Sequence, residues 1–331
     1  MTALHQQIRR TIQRHRLCPS GSRVLVGLSG GSDSVALAVI LRELSEHGDF
    51  SVVGLAHLNH RMRATADRDE AFCRRFADAL HLPIHVESID VEAYAVSQRL
   101  SREDAARRLR YEFLRRVATG LAADRVAVGH TRDDQAETFL LKLIRGAGLT
   151  GLAGIYPQRD EVIRPLLDVS RQELRDFLTG RGYEWVDDET NDDIDNPRNR
   201  IRHHVLPELN RVYGSATNAI ARAAGLVRED AQWLDETSRR RYEVLVSRGE
   251  ARVQIDAAGL MAEPVPIQRR IMLMALRCAV PDREIGLDHI EGALLVASGQ
   301  SGGLDLPGAR VELRREKLVL LIETTPDWAA E

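Results

Sequence analysis

The residues best equipped for chemistry lie together in Ser29-Gly30-Gly31-Ser32-Asp33-Ser34, between the apolar runs Val24-Leu25-Val26-Gly27-Leu28 and Val35-Ala36-Leu37-Ala38. A strand that turns tightly into a helix aims several backbone N–H groups at one point, where the helix's partial positive charge favours an anion. Gly30 and Gly31 let the backbone approach that anion closely. Ser29, Ser32 and Ser34 add hydroxyl donors, whereas Asp33, an acceptor, suits Mg2+ or the ordering of the loop. A Walker loop, GxxxxGKS/T, needs a lysine reaching the β- and γ-phosphates, and none lies nearby, so γ-phosphoryl transfer is disfavoured.

Three further segments carry polar residues suited to the same site. Ala56-His57-Leu58-Asn59-His60-Arg61-Met62-Arg63 ends a strand, and its His57, His60 and Arg63 can meet phosphate or substrate. A helix carries Arg107, Arg110 and Tyr111, which charge pairing along the helix explains equally well. Gly129-His130-Thr131-Arg132-Asp133-Asp134-Gln135-Ala136-Glu137-Thr138 opens another helix. There Asp133 and Glu137 are four residues apart and Asp134 and Glu137 three apart, which puts them on one face. Acids in a first turn also answer the helix dipole; beside a phosphate loop they can bring Mg2+ to the phosphates or hold the ammonium of a substrate. Arg198, Arg200 and Arg202 follow Asn196-Pro197 and could grip RNA phosphates.

These residues need a scaffold that brings strand ends together. Strands are expected over Arg23–Leu28, Ser51–Leu58, Ile84–Ile89 and Arg125–Gly129, and helices over Asp33–Glu46, Asp67–Leu80, Arg102–Ala118 and Arg132–Ile144. Such alternation predicts an α/β fold, a doubly wound and mainly parallel sheet of five strands, with ligands beyond the carboxyl ends of the strands. After Pro207 helices dominate, over Ala216–Arg241 and Pro266–Cys278, with a terminal hairpin around Pro307-Gly308. The expected division is a catalytic domain over 1–213, a linker helix over 214–240 and a smaller, mainly helical domain over 241–331.

The 331 residues and 44% hydrophobic content allow two cores. A net charge of -3 leaves nucleic-acid contacts to local patches rather than a global field. Cys18, Cys73 and Cys278 are far apart and form no CxxC pair, which argues against a disulfide framework or zinc ribbon and for a reducing compartment. No apolar run is long enough to span a bilayer and no secretory segment follows the start, so a cytoplasmic, non-membrane protein is expected.

The SGGxDS string between strand and helix resembles that of the pyrophosphatase-loop ATPases, which split ATP between the α- and β-phosphates. Within that superfamily, HxNHxxR at 57–63, AR..RY at 106–111, GHxxDDxxET at 129–138 and DxTN…RNxIR at 188–202 resemble the tRNA(Ile)-lysidine synthetases. The resemblance covers roughly residues 22–210 and returns at Ser301–Gly308; longer members carry a further C-terminal domain, so a compact form is expected. It implies ATP and Mg2+ as cofactors, and as partners free L-lysine and the tRNA(Ile) with a CAU anticodon, a homodimer being one candidate assembly. The implied reaction adenylates C2 of the wobble cytidine and then joins lysine to it, releasing AMP and pyrophosphate. It further implies Asp33, His130, Asp133, Asp134 and Glu137 as catalytic and Asp33 and Asp134 as the metal pair. Ser29 to Ser34, His57, His60, Arg63, Arg107 and Arg110 would bind the nucleotide.

Three rivals remain at this point. A thiolating relative would need paired cysteines, and an amidotransferase relative would need a glutaminase module with its own nucleophile. A non-catalytic nucleotide or tRNA binder would have no need of the intact acids Asp33, Asp133, Asp134 and Glu137.

Overall fold

The computed structural model describes residues 2–60, 66–187, 195–281 and 283–322. It divides into two compact units, Met1–Arg228 and Glu229–Glu331.

The first unit runs α1 (Ala3–Arg14), β1 (Arg23–Gly27), α2 (Ser32–Ser45), β2 (Ser51–Asn59), α3 (Ala66–Ala79), β3 (Ile84–Ser88), α4 (Val91–Gln98) and α5 (Arg102–Gly120). It continues with β4 (Arg125–Ala127), α6 (Arg132–Ile144), α7 (Leu149–Leu152), β5 (Gln158–Arg159), β6 (Val162–Ile163) and α8 (Arg171–Thr179). Then come α9 (Pro197–Arg200), a π-helical turn Ile201–Val205, α10 (Leu206–Val212) and α11 (Ala216–Leu245), the last running on into the second unit.

The sheet order is β3-β2-β1-β4-β6-β5, parallel throughout except for the antiparallel pair β5 and β6. The expected five strands are therefore six among the described residues. β5 and β6 are two residues each, too short to show an alternating pattern.

Consecutive residues of β1 point to opposite faces, and the packing follows that alternation. Val24 and Val26 join the core built with α1, α2, α3 and α8, whereas Leu25 joins the core built with α5. Ala127 and Val126 divide the same way on β4. Ten of the fourteen residues of α2 are buried, which explains why its sequence is apolar all round and lacks a helical stripe.

The chain leaves β1 toward β2 and β3 on one side and returns to β4 on the other. The crevice at this reversal, beyond the carboxyl ends of β1 and β4, is where a doubly wound sheet binds its ligand.

The second unit has its own core, in which Ile271, Met272, Ala275 and Leu276 meet Val253, Ile255, Leu318 and Leu320. Its helices after α11 are α12 (Ala257–Met261), α13 (Val265–Ala279) and α14 (Leu287–Ala297). They accompany a five-stranded antiparallel sheet of β7 (Val246–Arg248), β8 (Arg252–Asp256), β9 (Leu304–Leu306), β10 (Ala309–Arg314) and β11 (Lys317–Ile322). The sequence indicated a terminal hairpin of two runs, Leu304–Leu306 and Arg310–Ile322, where the structure has β9, β10 and β11; β7 and β8 were not expected, and β7 follows α11 without a break. Among the described residues, no helix is long and apolar enough to cross a membrane.

Candidate active site at the phosphate loop

The loop between β1 and α2 is held by its own side chains. Ser34 Oγ accepts from the Ser29 N–H at 3.0 Å, lies 3.0 Å from Ser29 Oγ and donates to the Gly31 carbonyl at 3.0 Å. Ser34 is thus a brace inside the turn, while Ser29 is exposed at its lip. Gly30 takes φ +90°, a left-handed conformation that glycine adopts without strain. Its carbonyl accepts from the Val186 N–H at 2.9 Å, which ties the loop to the segment after α8.

Gly129, just beyond β4, lies against the start of α2. A Cβ there would meet the backbone carbonyl carbon and oxygen of Asp33 at 3.1 Å and the Ser34 nitrogen at 3.2 Å. This contact brings the acids of α6 up to the loop.

The end of β4 leads into α6 through a reciprocal cap. Thr131 Oγ1 accepts from the Asp134 N–H at 3.3 Å, and Asp134 Oδ2 accepts from the Thr131 N–H at 2.8 Å and from its hydroxyl at 2.9 Å. The cap leaves Asp134 Oδ1 for other partners. Ser170 and Glu173 cap α8 in the same way, which fixes Arg171 in its first turn.

Arg171 is the hub. Its Nε donates to Asp33 Oδ2 at 3.1 Å, its Nη2 to Asp134 Oδ1 at 3.1 Å, and its Nη1 lies 3.6 Å from Glu137 Oε1. Its backbone N–H donates to Asp133 Oδ2 at 2.8 Å. From the far side Arg198 reaches Glu137 Oε2 at 2.8 Å and Asp134 Oδ1 at 3.1 Å. Arg202 Nε reaches Glu137 Oε1 at 2.7 Å. The structure therefore converges Asp33, Asp134 and Glu137 on three guanidinium groups, with Asp133 alongside.

From sequence Arg198 and Arg202 could be grips for RNA phosphates or part of a capped surface helix; in the structure both are engaged by the acids of α6. Separated by four residues across the π-helical turn, both point inward because the fully buried Glu137 demands counter-charge. Nothing in the chain around Arg171 announced its role; the one available signal was the Ser170-x-x-Glu173 capping box, which makes Arg171 the first residue of a helix.

The electrostatics follow from these contacts. Burial would raise the Asp134 carboxyl, but the charges of Arg171 and Arg198, with the Thr131 N–H, outweigh it and hold Asp134 well below the usual carboxylate range. Burial raises the Asp33 carboxyl, aided by the charge of Asp134 and opposed by Arg171. His130 is driven down to about 3, chiefly by burial, so its ring is neutral at physiological pH. Its Nδ1 is buried and finds no hydrogen-bond partner among the described residues.

The other expected residues are less uniform. His57 lies behind the loop, its Nδ1 3.0 Å from the Leu28 carbonyl and 3.3 Å from Cys73 Sγ, and burial lowers its pKa. His60 follows the end of β2, and Arg63 lies outside the described residues, as does the Asp188–Asn191 string. Arg110 is half-buried with its pKa lowered by burial, whereas Arg107 is exposed, its guanidinium 5.7 Å from the Tyr111 ring centroid. Among the described residues, no three His, Cys, Asp or Glu side chains form a metal cage.

Comparison with known proteins adds to this geometry. The family model described as a PP-loop domain matches residues 2–209. The chain is 39% identical over 314 residues to the tRNA(Ile)-lysidine synthase of Geobacter sulfurreducens, a match covering 92% of this chain and 66% of the relative. It is 39% identical over 329 residues to the tRNA(Ile)-lysidine synthase of Symbiobacterium thermophilum, covering 94% and 67%. The chain thus spans about two thirds of the length of these curated relatives. Among solved structures, the U34-tRNA thiolase NcsA from Methanococcus maripaludis, which carries a 4Fe-4S cluster, matches with TM-score 0.58 at 17% identity. That match covers 68% of this chain and 78% of the thiolase, and it is a likeness of fold.

Proposed function

Since this chain belongs to the PP-loop family and within it to the tRNA(Ile)-lysidine synthases, we propose that it is an ATP-dependent ligase that joins free L-lysine to the wobble cytidine of tRNA(Ile). The base is adenylated at its C2 oxygen with release of pyrophosphate, and the lysine amine then displaces AMP. The observation that carries the proposal is the convergence of Asp33, on the phosphate loop, with Asp134 and Glu137 across the sheet's reversal.

The loop's free amides and the N-terminus of α2 receive the pyrophosphate portion of ATP, and Gly30 and Gly31 keep that approach open. Asp33 and Asp134 supply oxygen donors on adjoining elements. Two carboxylates without a full cage suit Mg2+ that arrives with nucleotide phosphates and keeps several other ligands. When bound there, the ion supplies charge neutralisation for the leaving pyrophosphate.

Asp133 makes no close ion pair among the described residues and uses one oxygen on the Arg171 N–H. It is the acid we assign to the lysine substrate, holding its ammonium group and accepting a proton as the amine attacks. His130 stays neutral, so it orients a polar group of the base and does not protonate it. We place the remaining specificity for this tRNA in the 241–331 region, since two tRNAs sharing an anticodon differ only elsewhere.

The test is whether AMP release from ATP requires both lysine and a CAU-anticodon tRNA(Ile). AMP release that ignores either one would contradict the assignment.

A further inference from the structure

Three acids of the site are already matched by cations before any ligand arrives. Asp33, Asp134 and Glu137 face the guanidinium groups of Arg171, Arg198 and Arg202, one positive charge for each negative. A bare divalent cation would therefore meet three carboxylates already matched by guanidinium groups, and would have to displace a hydrogen-bonded arginine.

The three arginines are not equivalent. Within this cluster Arg198 and Arg202 reach Asp134 and Glu137, the acids of α6. Arg171 alone also reaches Asp33, and so bridges the phosphate loop to α6. It occupies one oxygen of each, Asp33 Oδ2 and Asp134 Oδ1, on the two residues that would hold a metal. Arg171 is also the first residue of α8, and its backbone is held by Asp133 independently of what its guanidinium binds. Planar guanidinium groups bind phosphate as readily as carboxylate.

We propose that Arg171 is a positioning residue that acts as an internal counter-ion for Asp33 and Asp134 and passes to the phosphates of incoming ATP, so that metal binding requires nucleotide. The inference rests on the assignment of Asp33 and Asp134 to the nucleotide's metal made above. The polyphosphate brings the negative charge that draws Arg171 from the carboxylates, and the carboxylates are thereby released to the ion that accompanies the phosphates. The chain thus avoids filling its acid pair with a divalent cation that would block the phosphates.

Binding of Mn2+, used as a spectroscopic probe in place of Mg2+, tests this on the full chain with and without a non-hydrolysable α,β-methylene analogue of ATP. The wild-type protein is expected to bind Mn2+ at least tenfold more tightly with the analogue than without it. Arg171→Gln is expected to bind Mn2+ without nucleotide at least tenfold more tightly than wild type, whereas Arg171→Lys, which keeps the charge, stays close to wild type. Equal nucleotide-free affinities of wild type and Arg171→Gln would overturn the counter-ion role. Absence of Mn2+ binding by wild type even with the analogue would instead overturn the metal assignment itself. Circular dichroism of each variant establishes that it is folded; should Arg171→Gln be unfolded, Arg171→Met must in its place show the tighter nucleotide-free Mn2+ binding.

Discussion

The Arg202 guanidinium is bidentate on Glu137: its Nε stands 2.7 Å from Oε1 and its Nη2 3.1 Å from Oε2. Parallel paired bonds of this kind are among the stronger contacts a protein makes, and here the acceptor has no exposed surface. Glu137 therefore serves the architecture of the site as well as its chemistry, since it draws the segment after Pro197 onto α6.

Glu137→Gln keeps the shape but removes the charge from between Arg198 and Arg202. Breaking one side of a buried pair costs about 3 kcal/mol because the partner charges stay behind. Urea denaturation should show a midpoint lowered accordingly, with little change in slope. A loss of less than about 0.5 kcal/mol, the usual range of a surface substitution, would mean that the cluster contributes little to stability.

At Gly129 the prediction concerns geometry. An alanine Cβ would press on the Asp33 backbone at 3.1 Å, and neither that carbonyl nor the Ser34 nitrogen can give way without moving the start of α2. Overpacking of this kind costs about 2 kcal/mol. Because the strain falls on the phosphate loop, the KM for ATP should rise more than tenfold while that for lysine changes little. Equal effects on both would place the damage elsewhere.

The pH dependence of stability has a definite sign. His130 binds protons in the unfolded chain near its ordinary 6.5 but only near about 3 when folded, so the unfolded state is the better proton acceptor between those values. The neutral ring's contribution is complete above about pH 6.5 and is lost as pH falls toward 3. The buried His57, also lowered, acts in the same direction. Between pH 7 and pH 5 the wild-type protein should lose about 1–2 kcal/mol through His130, and His130→Gln should lose correspondingly less. Parallel curves for the two proteins would show that His130 titrates normally.

Asp33→Ala removes the loop's acid without touching the amides that bind phosphate. Loss of one charge-stabilising group at a reacting centre typically costs at least a hundredfold in rate. Pyrophosphate release should fall by that factor while affinity for tRNA stays within about twofold. Parallel losses in both would show that Asp33 organises the whole surface rather than the nucleotide site.

Sequence and structure agree where the chemistry is local. The loop from Ser29 to Ser34 is readable because strand, turn and helix start are contiguous, and α6 appears at its observed limits because Thr131 and Asp134 cap it within four residues. The hub was not readable. Arg171 meets Asp33 across 138 residues of chain, and the order of residues along the chain holds no record of that meeting. Arg198 and Arg202 were visible as residues but not in direction: a cluster of arginines near a surface turn looks like an RNA grip until a buried Glu137 is placed beneath it. The missed strands have a simpler cause. β5, β6 and β7 are two or three residues long, too short to repeat an alternating pattern, and the five-residue β8 was missed as well.

The proposed function has this site attach lysine to one RNA base. The direct measurement is incubation with ATP, Mg2+, labelled lysine and unmodified tRNA(Ile) bearing a CAU anticodon, followed by nucleoside digestion of the tRNA. Label is expected on the wobble cytidine, with AMP and pyrophosphate formed in equal amount, and none on a methionine tRNA that shares the anticodon. ATP consumption that leaves this tRNA unlabelled would contradict it.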